Sequence, residues 1–206
     1  MTIITRKVGL IVASARKGGN AAGIASWLKP VIQTRLNKAN QAKPFEVVTV
    51  DPTSAPFPAG PLTDGSKFPA QVTKPEDYSS PAVREWSQFV TSCSAFVILL
   101  PEYNGGYPGE LKNALDQLFH EWAKKPVTVV SYGGGGGGHA AKQLTEIVKN
   151  LQLQPTETQP QIRVPRELIG GTERVQTTSS FLSEYEPTVE KAAEELEQLI
   201  TAAASA

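Results

Sequence analysis

Hydrophobic positions along the chain fall into two alternating kinds of block. Val8-Gly9-Leu10-Ile11-Val12 is a short, continuously apolar run, and Phe45 to Val50, Ala95 to Leu100, Val127 to Val130 and, more weakly, Gln161 to Val164 repeat its type. Strands without polar alternation belong to parallel sheets covered on both faces. Between these runs, apolar residues recur at helical spacing over Ala21 to Leu36, Pro81 to Thr91, Glu110 to Trp122, Ala140 to Leu151 and Pro187 to Ala203. The third helix has the cleanest stripe, with Leu111, Ala114, Leu115, Leu118, Phe119 and Trp122 on one face and Lys112, Asp116 and His120 on the other. Pro30 inside the first helix predicts a kink. Strand and helix alternate throughout, which predicts an α/β chain: one domain over 1–206, a doubly wound five-stranded parallel sheet with helices on both faces. Asp51 to Ser80 is rich in proline, shows no period, and is expected to run over the surface.

Composition narrows the partners. At 206 residues and 40% hydrophobic content the chain can fill a single core. Twenty Lys and Arg balance twenty Asp and Glu, so electrostatic capture of nucleic acid or of an anionic membrane is not expected, and a small molecule is. Cys93 is the only cysteine and is expected to be buried; His120 and His139 stand apart, so neither a disulfide framework nor a metal cluster is predicted. Met1 to Lys7 lead straight into the first strand with no signal-peptide or spanning pattern, and a cytoplasmic location is expected.

Three strand-to-helix loops open at one edge of such a sheet, where ligands of open α/β folds bind. The first, Ala13 to Asn20, offers a helix start, the Ser14 hydroxyl and the Arg16 fork, a set suited to a terminal phosphate. The same residues could form an ordinary polar turn. Neither a dinucleotide G-x-G-x-x-G nor a P-loop ending is present there. The second, Pro101-Glu102-Tyr103-Asn104-Gly105-Gly106-Tyr107-Pro108-Gly109, has glycines that let backbone approach a flat group and prolines that stiffen it. It is expected to present the N–H groups of Tyr103, Asn104 and Gly105, with Tyr103 and Tyr107 as candidates for a substrate pocket. The third, Ser131-Tyr132 followed by Gly133 to Gly138, can pass close to a planar ligand or to a neighbouring subunit. Asp51, ending the second strand, would be the ribose-binding acid of a Rossmann dehydrogenase, but the first loop lacks the glycine spacing that reading requires.

These residues resemble the flavodoxin-like NAD(P)H-dependent FMN reductases, a family that includes quinone reductases and azoreductase-like enzymes. Pro101 to Gly109, continuing into Glu110-Leu111-Lys112-Asn113-Ala114-Leu115-Asp116, carries most of the likeness; Ser14-Ala15-Arg16 and Ser131-Tyr132-Gly133-Gly134 are similar to the family's phosphate and third loops. Gly106 stands where the family usually has Ser, and Gly19-Asn20 is spaced one residue differently from many phosphate loops. The resemblance implies a flavodoxin-like sheet in strand order 2-1-3-4-5. It also implies FMN as cofactor and NADPH or NADH as reductant, with hydride passing through the flavin to a quinone, azo compound, flavin or similar acceptor. Ser14, Arg16, Gly19 and Asn20 would hold the phosphate, and Pro101, Glu102, Tyr103, Asn104 and Gly105 would contact the ring. Ser131, Tyr132, Gly133 and Gly134 would border its far side. No proton-transfer residue and no metal are implied, and a homodimer or homotetramer is. The alternative from another class is a flavin-binding electron carrier or redox-sensing module, against which the balanced charge counts.

Overall fold

Side chains alternate between the two faces of each central strand, and both faces are buried. The computed structural model describes residues 6–38, 43–58, 60–61 and 65–205. The reading of Met1 to Thr5 lies outside these. The chain order is β1 (Arg6–Val12), α1 (Ala21–Asn37), β2 (Phe45–Val50), α2 (Pro81–Ser92), β3 (Cys93–Pro101), α3 (Gly109–Asp116) and β4 (Pro126–Gly133). There follow α4 (Gly138–Asn150), β5 (Gln154–Pro155), β6 (Gln161–Arg163), α5 (Arg166–Gly170) and α6 (Glu186–Ser205). On one face Val8, Leu10, Ala95, Val97 and Leu99 pack with Ile24, Leu28 and Ile32 of α1 and Leu196 of α6. On the other, Ile11, Phe96, Ile98 and Leu100 pack with Trp86 of α2, Leu111 of α3 and Leu144 of α4. Continuous apolar runs are therefore what these strands need.

All strand pairings are parallel, in the order β2-β1-β3-β4 followed by a fifth position at the edge. That position differs from the single strand expected at Gln161 to Val164. It is divided: β5 pairs with Pro126 and Val127 at the start of β4, and β6 pairs with Ser131 to Gly133 at its end. Pro155 and Pro160 lack the N–H that a continuous ladder uses, and Thr158, between them, gives its N–H and hydroxyl to the Glu195 carboxylate instead.

The third helix is shorter than its stripe. It ends at Asp116, although Leu118 and Trp122 beyond it are buried as the stripe requires. Two indoles account for the stop: Trp86 Nε1 donates to the Ala114 carbonyl at 2.9 Å and Trp122 Nε1 to that of Leu115 at 3.2 Å. These carbonyls would otherwise receive the amides of Leu118 and Phe119. The helix α1 runs through Pro30, which is exposed. Cys93 opens β3 and is buried. Described parts of the segment 51–80 form turns and two short 3₁₀ turns, and Phe57, Val72 and Tyr78 anchor it on the core around Trp86. No helix among the described residues is long and apolar enough to cross a membrane, and no cluster of potential metal ligands occurs among them.

Candidate functional site

The carboxyl ends of β1, β3 and β4 lie side by side in the parallel sheet, so the loops that follow them meet. Between them is a cleft of about 340 Å³. Its first wall carries Ser14, Arg16, Lys17, Gly18, Gly19 and Asn20; its second, Pro101, Glu102 and Tyr103; its third, Tyr132, Gly133 and Gly134. Val164, Ile169 and Arg174 close it from the C-terminal part of the chain.

The first and second loops are joined. Ser14 Oγ lies 2.8 Å from the Tyr103 phenol oxygen and accepts the Arg16 amide at 3.3 Å, and the Arg16 guanidinium sits 3.8 Å from the centre of the Tyr103 ring. Tyr132 adds a second phenol beside Ser14; burial, reinforced by neighbouring Tyr103, pushes its ionisation well above the ordinary tyrosine range, so it remains a neutral donor. Glu102 joins the second and third loops: its carboxylate accepts the amides of His139 at 3.0 Å and Ala140 at 3.4 Å, the first turn of α4.

Asn104 and Gly105 have φ of 52° and 79°. Tyr103 and Gly106 exchange both backbone bonds across them, at 2.8 and 3.0 Å, which makes a tight two-residue hairpin turn of the Asn-Gly kind. This corrects one expectation: the Tyr103 amide is spent on Gly106, so the loop presents the amides of Asn104 and Gly105 at its exposed tip and not that of Tyr103.

Other sequence-derived candidates sit differently from what their residue type suggests. Asn20 lines the cleft, but its carboxamide donates to the Leu168 carbonyl at 2.9 Å and accepts the Val175 amide at 2.9 Å. Its side chain is a tether for the chain after β6. Ser131 is fully buried and gives its hydroxyl to the Gly136 carbonyl at 2.7 Å, shaping the glycine loop from beneath. Tyr107 packs against the core outside the cleft, where burial raises its phenol. Lys17 and Gly18 are cleft residues inside the first loop that the phosphate reading passed over. Ile169 and Arg174 had no signal in the pattern: α5 spans five residues and Arg174 lies beyond it.

The cleft joins two kinds of surface. Arg16 and Lys17 bring positive charge to the loop that enters α1, and next to them Tyr103, whose ring Arg16 covers, Tyr132 and the Gly133-Gly134 backbone offer flat walls. One anionic terminus and one planar group are what such an arrangement accepts. The sequence model of the NADPH-dependent FMN reductase family matches residues 6–162. The chain belongs to this family.

NAD(P)H-dependent FMN reductase LOT6 of Saccharomyces cerevisiae is 36% identical over 71% of this chain and 75% of its own length. An NAD(P)H:quinone oxidoreductase of Solanum tuberosum is 28% identical over 71% and 69% respectively. Among solved structures, FerB, a flavoenzyme NAD(P)H:(acceptor) oxidoreductase from Paracoccus denitrificans, superposes with a TM-score of 0.68 over 94% of this chain and 98% of its own, at 18% identity, which shows the common flavodoxin-like fold. As an FMN reductase family member the chain is an oxidoreductase that works with FMN and NAD(P)H. The cationic first loop and the flat walls of the cleft fit that cofactor.

Proposed function

We propose that Ser14, Arg16 and Lys17 hold the FMN phosphate. Pro101 to Tyr103 and Tyr132 to Gly134 flank the ring, and the chain reduces a small quinone, azo compound or free flavin at the expense of NADPH or NADH. The observation that carries this reading is the cleft in which three loops bring a cationic first loop against flat walls. The chemistry that FMN supplies when bound is two-electron transfer between NAD(P)H and the acceptor. The protein's own part is positioning. Arg16 and the amides before α1 neutralise the dianion. Glu102, committed to the first turn of α4, keeps the second and third loops at a fixed separation. The Asn104 and Gly105 amides, at the exposed tip of the turn, would be the donors for a polar ring edge. Tyr103 forms a wall of the acceptor pocket. No side chain is assigned a proton transfer.

Similarity to a quinone oxidoreductase and the flat cleft walls support a planar aromatic acceptor. A homodimer or homotetramer is the oligomeric expectation that accompanies this reading. A cytoplasmic setting is the expectation that accompanies this reading.

The test is spectroscopic. Protein loaded with FMN and freed of excess is expected to be yellow, to bleach anaerobically with NADPH or NADH, and to recover its colour on adding a quinone. Protein that takes up no FMN overturns the reading. Colour that persists with both nucleotides indicates a binding module in place of a reductase.

A further inference from the structure

The residues that close the cleft from the C-terminal side lie beyond position 162, where the match to the family ends. Two of them, Ile169 and Arg174, belong to one short length of chain, Pro165 to Val175, containing α5. Two features of α1 fasten it. Asn20 uses both halves of its carboxamide on it, one on Leu168 and one on Val175. Gly23, one turn further into the helix, lets the chain lie directly on α1: a Cβ there would stand 1.8 Å from the Val175 carbonyl oxygen. Beside the Leu168 tether the strap also reaches the glycine loop, with Ile169 Cδ1 3.2 Å from where a Cβ on Gly134 would be.

Leu168 and Val175 meet on the one Asn20 carboxamide, so the strap is a loop pinned at the start of α1, with Ile169 on one side of the pin and Arg174 on the other. Ile169, apolar and 45% exposed, reaches toward Gly134. Arg174 precedes Val175, which is pinned at the start of α1, and lines the cleft together with Arg16, Lys17 and Gly18. Its Nη1 is bonded to the carbonyls of Gly171 at 2.6 Å and Glu173 at 2.7 Å, which fixes the guanidinium on the strap. Glu102, the acidic residue among the cleft walls, is spent on α4, so it does not compete for this cation.

We propose that Pro165 to Val175 is a strap that delivers Arg174 to a terminal phosphate monoester, with Asn20 as the positioning residue that holds it there. The inference rests on the FMN reading and adds to it a phosphate ligand outside the family's matched segment. A guanidinium on a phosphate dianion contributes a charge-assisted bond, so its removal is felt by phosphorylated ligands alone.

The experiment compares FMN with riboflavin, which has the same ring and no phosphate, by flavin-fluorescence titration of wild type, Arg174→Gln and Asn20→Ala. Arg174→Gln is expected to weaken FMN about tenfold or more while riboflavin affinity stays within about twofold, and to flatten the salt dependence of FMN binding. Asn20→Ala is expected to reduce the FMN-over-riboflavin preference as well. Combined with Arg174→Gln it should reduce that preference no further than the single substitution does, because both act through one contact. FMN affinity unchanged in Arg174→Gln, or FMN and riboflavin weakened equally, overturns the proposal and leaves the FMN reading standing. Wild type that binds neither flavin overturns both.

Discussion

The phenol oxygen of Tyr103 lies 2.8 Å from the hydroxyl of Ser14, joining the loop after β3 to the loop after β1 across 89 positions of sequence. Arg16 covers the same ring. The two loops are thereby pre-assembled: the group that would meet a phosphate and the group that would meet a ring share one side chain, and little ordering is left to occur on binding.

Arg16→Ala should separate binding from stability. Losing a guanidinium from a phosphate costs roughly 1.5–3 kcal/mol, so FMN affinity is expected to fall about 10- to 100-fold. An exposed cation–π contact contributes only about 0.5–1 kcal/mol, so the thermal midpoint of the ligand-free protein should drop by no more than about 4 °C. Fluorescence titration and calorimetry measure the two. Equal flavin affinity in both proteins would exclude Arg16 from the phosphate site.

Trp86→Phe tests what ends α3. The ring would still stack on Phe89, 5.6 Å away between centroids, but the Ala114 carbonyl, fully buried, would lose its donor. An orphaned buried carbonyl costs about 1–3 kcal/mol, and each kcal/mol lowers the midpoint of a chain this size by about 2–4 °C. A thermal melt of the variant should show a loss of roughly 4–8 °C, for a cost of about 2 kcal/mol. An unchanged midpoint would mean that the indole N–H contributes nothing.

That same contact shows where sequence reading stops. The five sheet positions were legible because doubly covered strands such as Phe96-Val97-Ile98-Leu99-Leu100 cannot carry polar residues on either face. The meeting of three loops then follows from strand order alone. The end of α3 was not legible, since its stripe runs on to Trp122 and the indoles that intercept its carbonyls include one from α2, 28 positions away. The turn at Asn104-Gly105 was available as a hairpin signal, and it takes the Tyr103 amide away from the ligand. The division of the fifth strand was also written in Pro155 and Pro160. The strap had no such signal: its tethers to Asn20 span 148 and 155 positions, and no local pattern encodes them.

Gly23→Ala should reverse the usual sign of its substitution. In a helix interior Ala is normally favoured over Gly by about 1 kcal/mol. Here the new methyl meets the Val175 carbonyl, which is backbone and cannot rotate aside. The variant is expected to lose stability in urea and to be cut faster by trypsin at Arg166 or Arg174 as the strap lifts from α1. Greater stability with unchanged digestion would show that the strap does not rest on the helix.

Lys125 ties stability to alkaline pH. Its Nζ donates to the carbonyls of Val90 at 2.5 Å and Thr91 at 3.1 Å at the end of α2, a task that a neutral amine also performs. Burial depresses its ionisation from 10.5 to about 8, while burial pushes the Cys93 thiol from 9.0 up to about 11. Below pH 8 the amine is charged in folded and unfolded chains alike. Between about 8 and 10.5 the unfolded chain holds a proton that the folded chain has shed, so the Lys125 contribution to stability grows with pH through that window. Cys93 acts oppositely from about 9 to 11, where the folded thiol keeps a proton that the unfolded one loses. Wild-type stability from this pair should therefore rise from pH 8 to 9 and flatten above it. In Lys125→Met the rise is absent, so the advantage of wild type over the variant, read from urea midpoints between pH 7 and 10, should widen with pH. Curves that stay parallel would show that Lys125 keeps an ordinary lysine ionisation in the fold.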